Sequence, residues 1–278
     1  MDTPAGYIIS WKVPATVDLL ALRSALVAAG LASDLAPDLK PAALVARTSG
    51  YIAKLTSTED AKKLSRPAGH AARQLTREEH AVGSTDLTYT KEASLSLASD
   101  GVTLLCDDAT LALMLPTTSS EVYNSRTASD VTRIVQAVVA SAGSDLIPVR
   151  EQGGAYFIPS GHAVIAQVGA LLRGIGGELA TFACSLGHGT EASVSNCITD
   201  YMLKQIGELQ EAVEELNEKG IRADVKSRRL SRVAELRERV GAYATLVGAS
   251  AVKLNTAIDV AEATLLAKLG AEREDAAA

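Results

Sequence analysis

Groupings with both the residue types and the spacing that chemistry needs are few in this chain of 278 residues. Cys184 and His188 stand four apart, and Cys197 follows nine residues later, which offers three ligands of the kind zinc takes. Structural zinc sites want four, in close pairs, so the set falls short and predicts no metal. Glu78-Glu79-His80 falls in a run of strand character, where Glu78 and His80 share one face and Glu79 the other. Without a second histidine at helical spacing it reads as a solvated strand edge rather than a zinc-protease motif. Gly174-Ile175-Gly176-Gly177 lies after a helix and before a strand, the reverse of the dinucleotide-binding order, and predicts a helix stop. Gly187-His188-Gly189-Thr190 is a loop with one imidazole and no inferable partner, and Asp107-Asp108 is expected to end a strand. Neither a phosphate loop nor a nucleophile elbow occurs in the sequence. The expectation is a non-enzymatic protein with no catalytic residue and no cofactor.

Charge is the stronger signal. Arg222, Lys226, Arg228, Arg229, Arg232, Arg237 and Arg239 form a basic run, preceded by Glu208, Glu211, Glu214, Glu215 and Glu218. One reading makes Arg228, Arg229 and Arg232, with Arg150, a nucleic-acid contact. The favoured reading pairs the two runs inside the molecule. Met202, Ile206, Leu209, Val213 and Leu216 repeat at 4, 3, 4 and 3, the stripe of an amphipathic helix from 195 to about 219. Gly220 suits the left-handed helix-ending position. A second helix from Ala223 to Leu269 then folds back, bringing Glu215 beside Lys226 and Glu211 beside Arg229–Arg232. At 1.5 Å per residue the limbs would be roughly 37 and 70 Å long, so the second outruns the first. Its distal stripe of Val247, Leu254, Ile258, Leu265 and Leu269 is therefore expected to contact a protein partner or a second copy, unless Gly241 and Gly248 bend the helix back.

The elements upstream follow from periodicity and punctuation. Residues 7–13 read as a strand ended by Pro14. Thr16 caps a helix running to Gly30, and Pro41 starts another reaching Leu55. Residues 56–70 read as a polar connector. Runs 71–82, 86–98 and 102–106 alternate as strands, with a hairpin signal at Asp100-Gly101 and a register shift near Glu92. A helix over 127–142, a strand–turn–strand over 145–159, a helix over 160–173 and a strand over 178–185 complete the middle. Helix followed by hairpin is the outline of a winged-helix unit, with Arg150 placed to touch phosphate, although a hairpin whose aromatics fill the core is the favoured alternative.

Arg150-x-x-Gly153-Gly154-x-Tyr156-Phe157-x-Pro159 resembles a segment of uncharacterised proteins encoded by bacteriophages and plasmids. The likeness spans ten residues and implies a mobile-element accessory protein, with no site residues to carry over.

Composition sets the outer bounds. Apolar residues make up 47% but aromatics only 4%, so the core must come from Ala, Val and Leu, which favours close helix packing over large cavities. A net charge of −6 argues against coating nucleic acid through bulk charge. Three unpatterned cysteines, a start unlike a signal peptide and no long apolar run predict a cytoplasmic protein with no membrane span. The fold class expected is α+β, with a small antiparallel sheet, a winged-helix-like unit and a coiled-coil-like C-terminal helical hairpin. The parts expected are 1–124, 125–194 and 195–278. The function expected is protein–protein assembly through the hairpin, nucleic-acid association being the alternative.

Overall fold

The computed structural model describes residues 4–58, 62–69, 71–80, 87–100, 103–149, 154–159, 162–185, 190–215 and 223–275. The fold is α+β with antiparallel sheets and a C-terminal helical assembly. Its contacts form two compact units: Met1–Lys12 with Val138–Ala166 and Glu178–Ala278, and Val13–Ala137 with Gln167–Gly177. The expected boundaries at 124/125 and 194/195 differ from this grouping. The reason is a long-range strand pairing that no local pattern announces.

That pairing organises the first unit. Strand β1 (Gly6–Lys12) runs antiparallel to β10 (Glu178–Cys184) on one side and to β9 (Tyr156–Ile158) on the other. Strand β8 (Ile147–Pro148) completes the order β10-β1-β9-β8. The hairpin β8–β9 forms as expected, but its second strand is an interior member of this sheet, not a free wing. One cross-strand row reads Ile147, Phe157, Ile8, Phe182. The first three enter the unit's core, which supports the reading of the hairpin aromatics as core filling, while Phe182 on the edge strand is 62% exposed. Gly6 sits where an added Cβ would lie 2.3 Å from the Ile158 carbonyl oxygen and 2.5 Å from the Phe157 ring.

Helix α6 (Thr190–Glu214) starts earlier than expected, and α7 (Ala223–Ala242) runs back beside it. The second limb does not continue to Leu269 as one rod. After α7 comes a single turn, α8 (Ala244–Val247), then α9 (Ser250–Asp275). Gly248 makes the reversal with φ 54° and ψ −126°, a conformation in which a Cβ would be strained. Ser195 Oγ donates to the Val247 carbonyl at 3.3 Å and Lys268 Nζ to the Glu214 carbonyl at 2.7 Å, so α9 lies parallel to α6. Three helices therefore share one core: Ile198, Met202, Ile206, Leu209 and Val213 from α6, Val233, Leu236 and Val240 from α7, and Leu254, Ile258, Ala261 and Leu265 from α9.

The second unit is built on four antiparallel strands in sequence order: β3 (Lys62–Pro67), β4 (Ala72–His80), β5 (Leu87–Leu97) and β6 (Leu104–Cys106). The stretch read as a connector includes β3, so the sheet has one strand more than expected. The register shift near Glu92 is real: Leu75 pairs with Ala93 and Thr76 with Lys91, leaving Glu92 as the extra residue of a bulge. Glu92 accepts from Lys63 Nζ and Arg77 Nε, each at 2.7 Å, and these contacts, led by Lys63, hold its carboxyl below the usual range despite burial.

Helix α2 (Pro41–Thr56), with Pro41 at its first turn, and α3 (Ala109–Tyr123) contribute Val45, Ile52, Ala53, Leu111 and Leu115 to a core with Leu75, Ala93 and Leu95. The α3 helix was not expected, and Asp108 begins it by capping the Leu111 N–H at 2.8 Å. A two-stranded ribbon of β2 (Thr16–Asp18) and β7 (Ser125–Thr127) adjoins α1 (Leu19–Ala28) and α4 (Ala128–Ser141). Asp18 rather than Thr16 caps α1, since Thr16 is spent in the ribbon. Helix α5 (His162–Gly174) ends at the predicted glycine stop, and a Cβ on Gly174 would lie 2.8 Å from that of Ala25.

A Gly6→Ala chain is expected to unfold at lower denaturant, by about 1–3 kcal/mol, because backbone and a buried ring meet the new methyl. Urea midpoints of the two proteins check this.

Candidate functional site

The surface expected to bind a partner is not available. Val247 is 2% exposed, and Leu254, Ile258 and Leu265 are wholly buried, all facing α6 and α7. The Leu269 side chain lies outside those described. The fold-back at Gly248 satisfies this stripe within the chain, where each large residue truncated to Ala would cost about 2–5 kcal/mol. What α9 does expose is a second apolar face: Val252 at 73%, Val260 at 55% and Leu266 at 52%, with Ala263 and Ala267 between them. Thr256 and Thr264 turn their hydroxyls back to the Val252 and Val260 carbonyls, both at 2.9 Å, which removes two polar groups from the outer surface. Asp259 beside this face is held by Arg237 at 3.0 Å, and the same guanidinium reaches Glu262 at 2.6 Å.

The basic run on α7 is paired, but along other lines than the sequence suggested. Arg228 reaches Asp224 on its own helix at 3.9 Å, and Arg232 bonds Glu235 at 3.1 Å and the Gln205 side chain of α6. Arg239 pairs with Asp145 at 2.9 Å. Arg229 keeps its Nε buried without a hydrogen bond. The glutamates of α6 therefore do not supply the described ion pairs of α7, because α9 and the turn after α4 occupy the positions facing several of its arginines. The expected contacts Arg228, Arg229 and Arg232 do not converge as a free cationic patch. Arg150 and the Glu218–Gly220 turn lie outside the described residues, as does the side chain of Lys226.

A cleft of about 630 Å³ opens where α4's end, α7 and α8 meet. Its centre is Asp145, which accepts the Tyr243 hydroxyl at 2.5 Å on one oxygen and Arg239 on the other. Burial first, and then the Asp145 carboxylate, push the Tyr243 phenol far above its ordinary value; burial also raises Tyr201 alongside. A carboxylate engaged on both oxygens and a phenol kept protonated make a poor acid–base pair. The cluster is a joint that anchors the α7–α8 break. Nor do the other chemical candidates converge: Cys197 Sγ donates to the Pro148 carbonyl at 3.3 Å, and Glu78 pairs with Lys62 at 3.7 Å. His188 and the side chains of Glu79 and His80 are outside the description.

In the second unit Arg47 on α2 grips Asp130 on α4 through both guanidinium nitrogens, at 2.7 and 2.6 Å. Asp130 also accepts the Thr127 N–H and hydroxyl, each at 2.9 Å, completing a capping box that the Thr-x-x-Asp spacing encodes. Burial disfavours its charge, but Arg47 and Thr127 outweigh that and hold the carboxyl at about 2. Arg126 is 3% exposed and donates to the carbonyls of Tyr123, Ser125 and Pro37 at 2.9, 2.7 and 2.6 Å. Beside this cluster a trough of about 620 Å³ is lined by Arg47, Gly50, Tyr51 and Lys54, all on one face of α2. That i, i+3, i+4, i+7 spacing puts the four on one helix face, but the set is not apolar and so gives no hydrophobic periodicity in the sequence. Nothing stands within 4 Å of a Cβ built on Gly50.

This arrangement, a helical bundle on one sheet and a helix-backed four-stranded sheet, defines an α+β protein without a conventional catalytic constellation among the described residues. The chain belongs to the family of unknown function DUF6744, which it matches over residues 6–274. No curated protein and no solved structure matches it. No helix of the described residues is long and apolar enough to cross a membrane.

Two outcomes are expected. Asp130 is lowered from 3.8 when folded, so its stabilisation is full above about pH 5 and is lost as pH falls toward 2, about 2 kcal/mol in all. Asp130→Asn should therefore be less stable at pH 7 and approach wild type only as pH falls to about 2 in urea melts. Gly50→Ala should be more stable by about 1 kcal/mol, since the helix gains propensity and meets no clash.

Proposed function

We propose that this protein is a non-enzymatic assembly protein that associates with a second copy of itself through the C-terminal helices. The observation that carries the reading is α9, which is apolar on two faces: one is consumed by the bundle, the other is open at Val252, Val260 and Leu266. Surface helices normally carry one apolar stripe and a polar back, and contiguous exposed apolar surface marks interaction sites. A second copy fits because the face is mostly uncharged: Asp259 at its margin is paired with Arg237, which also holds Glu262, and this limits the like-charge repulsion when the face meets its own image. Small residues at 263 and 267 let two helices approach closely.

A cytoplasmic setting in a phage or plasmid-bearing cell belongs to the same proposal, supported by the Arg150–Pro159 resemblance and the unpatterned cysteines. Nucleic-acid association through α7 is the weaker reading, because Arg232, Arg237 and Arg239 are taken up by internal partners.

Light scattering on the full chain at micromolar concentration is expected to give a multiple of the monomer mass. The double variant Val252→Asp, Val260→Asp should return it to monomer with a near-unchanged melting temperature, because both side chains are exposed. A monomeric wild type, or a variant that assembles as before, removes the proposal.

A further inference from the structure

We propose that the trough between α2 and the β7–α4 corner binds a mononucleotide, its phosphate held by Lys54 and Arg133 and its base laid against Tyr51. Three independent features point there. The first is charge: Arg47 is committed to Asp130 through both nitrogens, yet Lys54 and Arg133 are exposed and make no ion pair among the described residues. One exposed carboxylate, Glu121, also lines the trough, but with Arg47 and Asp130 cancelling each other the two free cations leave the lining net positive, and phosphate takes such charge-assisted bonds well.

The second is the aromatic ring. Tyr51 is 45% exposed and shares a helix face with Gly50 and Lys54, one residue from the glycine and three from the lysine. An exposed ring near cations is the pairing that receives a base and its phosphate together.

The third is Gly50 itself. It sits in the interior of α2, where its helical backbone suits any residue, and would meet nothing within 4 Å if it carried a methyl. Packing thus gives no reason for a residue that weakens a helix. An occupant lying on the helix backbone does. The trough's volume of about 620 Å³ falls in the range of small-molecule sites and is far larger than an inorganic phosphate needs. Ser129 also lines the trough and offers a hydroxyl for a further polar contact.

The test is calorimetric titration of the full chain at low salt with AMP, inorganic phosphate and a thymidine oligonucleotide. AMP is expected to bind at least about tenfold more tightly than phosphate. Arg133→Gln and Lys54→Gln should each weaken AMP by about tenfold, the worth of one lost charge-assisted bond. Gly50→Leu should abolish binding without lowering the melting temperature, since its Cβ meets nothing within 4 Å and the rest of the side chain occupies the trough. Failure of AMP to bind at millimolar concentration overturns the proposal, as does phosphate binding equally well, a preference for the oligonucleotide alone, or Gly50→Leu binding as wild type. The mass measurement on α9 is a separate readout, so either proposal can fail without the other.

Discussion

The backbone at Gly248 decides what the C-terminal third of this protein is. Had the chain stayed helical there, the stripe of Leu254, Ile258 and Leu265 would have run past the end of α6 into water or into another molecule. Instead a glycine conformation with φ 54° sends α9 back along α6, and those residues become wholly buried. The chain leading into the reversal is anchored twice: Ser195 holds the Val247 carbonyl, and Asp145 holds Tyr243 and Arg239. The stripe's hydrophobic surface, worth about 1.5–3 kcal/mol per fully buried large side chain, is what makes the turn favourable. Glycine makes it possible.

Ionic contacts follow from that arrangement rather than causing it. With α9 in place, Arg237 finds Asp259 and Glu262 opposite, and the glutamates of α6 are left to other company. Such exposed pairs contribute only about 0.2–1 kcal/mol each, so they tune register and do not drive folding. The Arg47–Asp130 pair is of a different kind, because both oxygens are engaged, Asp130 is only 12% exposed, and the same carboxylate caps α4. It ties α2 to the start of α4 while leaving the neighbouring trough open.

Local rules carried much of the architecture. Pro41 marked the start of α2, Gly30 and Gly174 lie at the ends of α1 and α5, and alternation located β4, β5 and the bulge at Glu92. Local rules failed where the deciding contact was distant or the composition misleading. Lys-Lys-Leu-Ser-Arg-Pro is polar enough to pass for a connector, yet it pairs along β4 because its neighbour supplies the ladder. Helix α3 holds Pro116 and two adjacent pairs of Thr and Ser, all poor helix signals, and survives by burying Leu111 and Leu115. No window of sequence relates residues 6–12 to 178–184. Of the trough, the capping box was legible in principle, but Gly50 gains meaning only when the emptiness above it is seen. The partner stripe was legible as apolar and misassigned as to what covers it.

The central place of β1 has a consequence for biosynthesis. Its ladder partner β10 leaves the ribosome only after the intervening 13–177 stretch has been made. At roughly 5–20 residues per second, the first strand waits about ten to thirty seconds for its mate. Through that interval Ile8, Ile9 and Trp11 travel uncovered on the nascent polypeptide while the second unit is made. Strand β1 is thus made well before the strands that flank it and is among the last elements to settle, and nascent-chain chaperones would meet it before β9 or β10 does.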